Sequence, residues 1–590
     1  MKLKVSVFEY LNQKVMYIQD VNYYFGIRDN FDIKLGDYEL SEEEVLNIAK
    51  ENDPEEYEVF INTSIEERLN KINTFNIEDV KQQSTNGQFT LCLHPSRKCN
   101  LNCKYCFRES EYLGNDQLTF EVAKDAIDFL VDKYAPYASK YVVDLSGSGE
   151  PLLQIDLVKQ IVEYCKKKRN EICKNIEVMF CTNLTLLTPE MVDYLDNEPA
   201  IILGTSIDGD QITNDNNRMY ANGKGTYDDI IKGLKMFKNK KLGLAVTITP
   251  LNQDIDLIYD HLYHLPNIDC ISMSFIRCFD DSEFNISNFD AEYLSKRYTL
   301  LCEKILKELN NNNFDYLEKL LNGADIFGNY IIQSLFKNFK NIYKCDAGKN
   351  RIAVNDKGDV FACSVMMGNQ DFLIGNIYKE ITIERQEFFF TPQTLNPSCK
   401  NCSVSNICGG ECYANSYLLN SNMFTLAPNM CDIKKLLIKL AIAVVNKIKL
   451  KQSHNYLKLM ELVMKIQYYY QTDTSIWAIT EYLKQHNIKT DYENIIRNIV
   501  IEAKGLSPIG MLQFLQLILD CNAYKLEAKY NIVNKDFPAI CFINKQKNIR
   551  YNYMIIDKIE NELVYFHDMT SNDNIPYDEF INNISNIIII

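Results

Sequence analysis

The stretch Lys98-Cys99-Asn100-Leu101-Asn102-Cys103-Lys104-Tyr105-Cys106-Phe107 places three cysteines within eight residues, at the spacing C-x3-C-x2-C. Three thiolates that close can wrap one metal centre. A structural zinc asks for a fourth protein ligand, and His94 is the nearby candidate. A [4Fe–4S] cluster on three thiolates instead leaves one iron open to an exogenous ligand. The segment follows a strand expected at residues 89–93, so it stands at the strand end where α/β folds place their chemistry.

Outward from this segment, the pattern is strand then helix, repeated. Strands are expected at 89–93, 141–145, 177–180, 200–206, 242–248 and 270–275. Helices are expected at 120–133, 157–168, 189–195 and 227–237. Such alternation argues for a parallel sheet with crossover helices, open or closed as a barrel. Before it, alternating Leu3, Val5, Val7 and then Val15, Tyr17 suggest a hairpin turning at Asn12-Gln13. Ser41 with Glu44, and Ser64 with Glu67, read as helix starts. After it, residues 290–342 read as helical and 343–431 as a cysteine-rich, loop-rich region. Residues 432–452 read as a basic amphipathic connecting helix, and 455–590 as a further α+β block.

Composition narrows the function. The 590 residues are 46% hydrophobic and 24% charged, which is ordinary globular composition. No apolar run approaches the roughly 20 residues of a membrane span, and Met1-Lys2-Leu3-Lys4 does not open a secretory signal. The net charge of −16 provides no cationic field for nucleic acid. A cytoplasmic protein without membrane or nucleic-acid partners is therefore expected. Nineteen cysteines in such a chain argue for metal or iron–sulfur ligation rather than disulfides. Nine of them (Cys92, Cys165, Cys173, Cys181, Cys270, Cys278, Cys302, Cys521 and Cys541) are scattered singly and read as small buried hydrophobes.

With Tyr105 at its aromatic position, the first cluster resembles the C-x3-C-x-aromatic-C signature of the radical S-adenosylmethionine (SAM) superfamily. The resemblance implies that Cys99, Cys103 and Cys106 hold a [4Fe–4S] cluster whose open iron binds SAM. Reductive cleavage of SAM then yields a 5′-deoxyadenosyl radical that abstracts hydrogen. Further motifs follow in order. Ser146-Gly147-Ser148-Gly149-Glu150-Pro151 resembles the family's Gly-Gly-Glu-Pro element, with Ser148 at the first motif glycine. Cys181-Thr182-Asn183 ends the third strand, and Ser206-Ile207-Asp208-Gly209 ends the fourth. Arg218 falls at the downstream arginine, whereas the family's usual histidine is Asn214 here. Tyr105, Ser148, Gly149, Glu150, Pro151, Thr182, Asn183, Ser206, Asp208 and Arg218 are thereby implied as SAM-site residues.

The second cysteine group is Cys345-x12-Gly358-x4-Cys363, then Cys399-x2-Cys402-x5-Cys408-x3-Cys412, then Cys431. It is similar to the SPASM extension of peptide-modifying radical SAM enzymes, which binds two auxiliary [4Fe–4S] clusters. By position, Cys399, Cys402, Cys408 and Cys431 are implied for the outer cluster, and Cys345, Cys363 and Cys412 for the inner. Seven thiolates are one short of eight. Asp346, water or a substrate cysteine thiolate are the candidates for the remaining iron.

Residues 467–590 resemble the papain-like leader peptidases of bacteriocin exporters, through Gln471-Thr472-Asp473-Thr474-Ser475, Gly505–Gly510, Phe537–Ile540, Asn552–Ile556 and Val564–Asp568. The nucleophile position is Thr474 and the histidine position Asn552; only Asp568 fits. Without an ionisable thiol and an imidazole there is no cysteine protease, so a degenerate, leader-binding domain is expected. Residues 1–85 are weighed as a diverged leader-recognition unit of three strands and three helices.

The expectation is an α/β chain: an α+β unit (1–85), a partial (β/α)6 radical SAM barrel (86–300), a helical bridge (301–342), a SPASM domain (343–432), a linker helix (433–454) and a degenerate peptidase domain (455–590). Its expected function is modification of a ribosomally made precursor peptide, by cysteine thioether crosslinks, with flavodoxin or ferredoxin as electron donor. A carbon–carbon crosslink, epimerisation or oxidation, and a noncatalytic cluster-binding scaffold, are the alternatives. A sulfatase-type maturase is a further rival.

Overall fold

The computed structural model describes residues 1–73, 87–106 and 117–469, apart from 137, 139, 173, 278–281, 324, 337–339 and 380; beyond 469 it describes 478–479, 482–483, 485 and six strands between 524 and 589.

The N-terminal strands β1 (Lys2–Tyr10), β2 (Gln13–Ile18), β3 (Tyr23–Ile27) and β4 (Gly36–Ser41) form an antiparallel sheet in the order β3-β2-β1-β4. The hairpin turns one residue earlier than expected, on Leu11 and Asn12. Both have positive φ (57° and 53°), as a two-residue turn matched to strand twist requires. Three helices follow, Glu42–Asn52, Pro54–Ile61 and Ile65–Asn73. Ser41 caps the first reciprocally with Glu44, and Ser64 pairs with Glu67 in the same way before the third. One face of the sheet, with Val5, Val7 and Met16, closes on these helices. The other, with Phe8, Val15, Tyr17 and Tyr24, joins the main core of the chain.

Strands β5 (Gln88–Cys92), β6 (Lys140–Asp144), β7 (Asn175–Thr182), β8 (Ile201–Ser206), β9 (Leu242–Ile248) and β10 (Ile268–Phe275) run parallel, each beside its predecessor. Crossover helices such as Ile155–Ile172 and Pro189–Asn197 return the chain between them. The helix expected at 120–133 is α-helical over Phe120–Phe129 and closes in a π-turn over Leu130–Tyr134.

The cysteine-rich region contains strands that its sequence did not announce. β11 (Arg351–Val354) pairs in parallel with β5, and β12 (Asp359–Phe361) and β13 (Leu373–Asn376) extend the sheet antiparallel, giving the order β10-β9-β8-β7-β6-β5-β11-β12-β13. The region is thus sewn onto the first barrel strand. Strands of three or four residues have too few positions to display a period, which is why the sequence read as loop.

The expected linker helix is corrected by its burial. The helix Pro428–Lys451 buries Leu437, Ile438, Leu440 to Val445 and Ile448, and packs against the helices Ala291–Asn310 and Ile326–Ser334 and against β1. Apolar on most sides, it is a core helix. The lysines that gave it a basic face are spent inside the protein. Lys434 pairs with Glu411, Lys449 with Glu56, Lys447 donates to the Leu11 carbonyl, and Lys439 lies 5.5 Å over the Phe8 ring.

In the C-terminal region, β14 (Tyr524–Glu527), β15 (Ala539–Ile543), β16 (Asn552–Glu560), β17 (Leu563–His567), β18 (Asn572–Pro576) and β19 (Ile584–Ile589) form an antiparallel sheet in the order β14-β19-β15-β16-β17-β18. The expected nucleophile position Thr474, the segments 471–475 and 505–510, and Asp568 lie outside the described residues. The peptidase-like resemblance therefore rests on the sequence motif alone. Among the described residues no helix is long and apolar enough to cross a membrane.

If Pro428–Lys451 is core, Leu440→Ala destabilises the protein by about 2–5 kcal/mol. Leu450→Ala, at a half-exposed position of the same helix, changes stability by less than about 0.5 kcal/mol. Urea unfolding of the two variants distinguishes a core helix from a linker, for which both changes would be small.

Candidate cluster and cofactor site

The cysteine loop is fixed from three directions. The Glu150 amide donates to the Lys98 carbonyl (2.8 Å), the Asn102 amide to Met219 O (2.7 Å) and the Lys104 amide to Asn217 O (3.0 Å). Asn183 Nδ2 donates to Asn100 Oδ1 (2.9 Å) and approaches Cys99 Sγ at 3.9 Å. Gly149 permits the closest approach. Its φ is +65°, and a Cβ there would stand 2.1 Å from Ser96 O and 2.6 Å from Lys98 O. Only glycine fits.

The other SAM-site candidates stand at or just past the ends of β6, β7 and β8, and most are engaged within the protein. Both oxygens of Glu150 are occupied, Oε1 by Thr182 Oγ1 (2.6 Å) and the Leu152 amide (3.0 Å), Oε2 by the Asn183 amide (2.8 Å). Burial raises the Glu150 carboxyl, against these bonds. Glu150 therefore joins β6 to β7 and leaves its backbone, with that of Ser148 and Gly149, to meet a ligand. Pro151 is buried and starts the following turn. Tyr105 donates to Asp208 Oδ2 (2.7 Å) and accepts from Arg218 Nη1 (2.7 Å), while Thr247 N donates to Asp208 Oδ1 (3.0 Å). Arg218 also feels Cys103. Asn214, at the family's histidine position, is fully buried, accepts from the Asp208 amide (3.3 Å) and donates to Thr226 Oγ1 (3.2 Å). It holds the turn and needs no imidazole. Ser206 ends β8, partly exposed.

The residues present fit a bound SAM and cluster. Among the described residues Ser148 Oγ, Arg218 Nε and Asn217 Nδ2 are buried without a hydrogen-bond partner, as groups awaiting a polar ligand are. His94 joins them. It is buried, neither ring nitrogen has a hydrogen-bond partner among the described residues, and Nε2 would lie 3.0 Å from a Cβ at Gly147. Burial pushes its pKa down to about 4. The imidazole is therefore neutral.

The second group of thiols divides in two. Cys399, Cys402, Cys408 and Cys431 line one cavity, together with Val404, Gly410 and Lys435. Cys345, Cys363 and Cys412 act on one another; burial and their mutual repulsion push the Cys363 thiol up to about 12. Ligation demands thiolates, so a metal centre here displaces protons. Among the described residues no three His, Cys, Asp or Glu side chains close around a single-ion position; the thiols are grouped more widely.

The three-thiol group stands at the barrel mouth. Ser364, beside Cys363, hydrogen bonds Cys92 at the end of β5. Arg351 on β11 donates to Cys92 Sγ (2.9 Å) and Asp144 Oδ2 (3.0 Å). Arg277, just past β10, bonds Cys412 and feels Cys363 and Cys345. Its side chain is exposed. Asp346 is exposed. Sequence reasoning missed Arg277, Arg351 and the buried pair Lys434–Glu411 (2.7 Å). Glu411 lies between Cys408 and Cys412, but no spacing rule marks it.

Two outcomes test this geometry. Gly149→Ala displaces the cysteine loop and lowers bound iron by about four per chain, the content of one cluster. Gly223→Ala, also at positive φ but with nothing near its Cβ, retains it; iron analysis decides. His94 is held neutral from 6.5 down to about 4, so the unfolded chain binds the extra proton in that window and stability falls as pH drops through it. Relative to wild type, His94→Leu gains about 3 kcal/mol between pH 7 and pH 4 in denaturant titrations.

Comparison with known proteins bears on part of the chain. The radical SAM superfamily model matches residues 93–260. The radical SAM cyclopropyl synthase TigE of Paramaledivibacter caminithermalis is 26% identical over 367 residues, 58% of this chain and 72% of the relative. A cysteine-type anaerobic sulfatase-maturating enzyme of Clostridium novyi is 24% identical over 338 residues, 54% of this chain and 86% of the relative. The solved structure of histidine-tagged anSMEcpe with bound AdoMet shares the fold, at TM-score 0.52 and 16% identity over 66% of this chain and 100% of that one. Residues 93–260 therefore match the radical SAM superfamily, and the relatives TigE and the sulfatase-maturating enzyme are named as enzymes.

Proposed function

We propose that the chain is a maturase that modifies a ribosomally made precursor peptide by radical chemistry, using three [4Fe–4S] clusters. Cys99, Cys103 and Cys106 would hold the SAM-binding cluster. Cys399, Cys402, Cys408 and Cys431 would hold a fully ligated outer cluster, and Cys345, Cys363 and Cys412 an inner one. The observation that carries this reading is the division of seven thiols into four around one cavity and three at the barrel mouth.

When bound, SAM and its cluster supply a 5′-deoxyadenosyl radical for hydrogen abstraction. The chain's own residues do the rest. Gly149 and Glu150 set the height of the cysteine loop. Tyr105, Asp208 and Arg218 fix the strand ends beneath it. The barrel mouth, with Arg277 and the three-thiol group, would receive the peptide. Three thiolates leave one iron for a further ligand, and a substrate cysteine sulfur suits iron of this kind. A thioether is the product favoured on this ground. A carbon–carbon bond is the second reading, supported by the cyclopropyl synthase relative. A leader, of double-glycine type on the C-terminal resemblance, would be held by one of the flanking units. A flavodoxin or ferredoxin would supply electrons.

Anaerobically reconstituted protein, given SAM and dithionite, is expected to hold about twelve irons per chain and to release 5′-deoxyadenosine. Incubation with cysteine-bearing precursor peptides, encoded near the gene, should give a product two mass units lighter whose cysteine resists alkylation. About four irons in fully reconstituted, folded protein would sink the three-cluster assignment. A lighter product whose cysteine still alkylates would favour the carbon–carbon reading.

A further inference from the structure

Lys349 lies four residues beyond Cys345, on the turn into β11, and is 4% exposed. Its ammonium is 3.4 Å from the Ala347 carbonyl and 3.3 Å from that of Phe389. It also lies over the rings of Tyr343 (4.5 Å) and Tyr413 (5.3 Å). Carbonyl oxygens and ring faces attract a cation, but none of them neutralises it. Among the described residues Lys349 makes no ion pair within 4 Å; the exposed Asp346 acts on it from farther off, after Cys345.

Lys434 presents the opposite case. Its ammonium is 2.7 Å from Glu411 Oε2, both side chains 3% exposed. Lys434 acts on Cys408 and Cys431 of the four-thiol group, whereas Lys349 acts on Cys345 of the three-thiol group. One buried cation is in direct contact with a buried carboxylate, and among the described residues the other feels an exposed one only at a distance. A buried charge without a close counterion costs several kcal/mol, so the anion that balances Lys349 is expected at the three thiols.

We propose that Lys349 is a positioning residue whose fixed charge offsets an iron–sulfur cluster on Cys345, Cys363 and Cys412 and raises its one-electron reduction potential above that of the outer cluster. The inference rests on the three-cluster reading above. Reduction adds one electron to the cluster, taking it from the 2+ to the 1+ core, and a nearby cation stabilises the more negative state. At the outer cluster Glu411 cancels the same effect. The consequence is directional. A substrate carbon radical that bonds to a thiolate sulfur leaves one electron over, and a cluster held by Cys345, Cys363 and Cys412 beside Lys349 would be the acceptor for it.

The experiment compares wild type, Lys349→Met, Lys349→Gln and Lys349→Arg after reconstitution. Iron and sulfide are counted, and dithionite titrations are followed by electron paramagnetic resonance; added SAM marks the first cluster's signal. The neutral variants are expected to keep about twelve irons while one auxiliary signal moves to more negative potential. A tenfold rise in its oxidised-to-reduced ratio at fixed potential corresponds to about 59 mV. Lys349→Arg keeps the wild-type midpoint. Loss of irons from both neutral variants but not from Lys349→Arg supports the same role. Full iron with both auxiliary midpoints unmoved in the neutral variants overturns it. About four irons in the wild type instead removes the three-cluster reading, and this inference with it.

Discussion

The approach of Gly149 to the carbonyls of Ser96 and Lys98 governs the barrel mouth. A backbone that comes within 2.1 Å of where a Cβ would be ties the loop after β6 to the loop after β5. The Glu150 amide then bonds Lys98, and the Glu150 carboxylate reaches across to Thr182 and Asn183 after β7. Three successive strand ends are thereby locked in register beneath the three thiols. The Glu150 and Asp208 carboxylates are hydrogen-bonded to neighbouring loops and strands here. They serve the site by holding other groups still, which is what preorganisation requires.

A second constraint is charge. Thiols gathered in the interior repel one another once ionised, and burial raises them further. The protein surrounds them with cations of different character. Lys434 is bound to Glu411, Lys349 stands on carbonyls and ring faces, and Arg277 bonds Cys412. Buried ion pairs give little net stability.

Reading the sequence failed at identifiable places. The helix Pro428–Lys451 carried enough lysine to look like a surface element, because linear sequence does not reveal that Glu411, Glu56 and the Leu11 carbonyl wait for those ammonium groups. β11 was missed because four residues are too short for a period, and its partner, β5, lies some 260 positions earlier. The hairpin at Leu11-Asn12 was displaced by one residue because leucine at positive φ is rare. The parallel strands and their crossover helices were legible, being long enough for alternation to show.

The sequence alone determined the chemistry available. Cysteine spacing is local, so the triad at Cys99, Cys103 and Cys106 and the glycine-rich turn at Gly149 could be read directly. Strand ends bearing Thr182, Ser206 and Asp208 were legible because the βα repeat is periodic. Tertiary structure decided which thiols share a cavity, which carboxylates are already spent, and which buried lysine touches a carboxylate. Those are properties of distance and burial between residues far apart in the chain, and no local pattern encodes them.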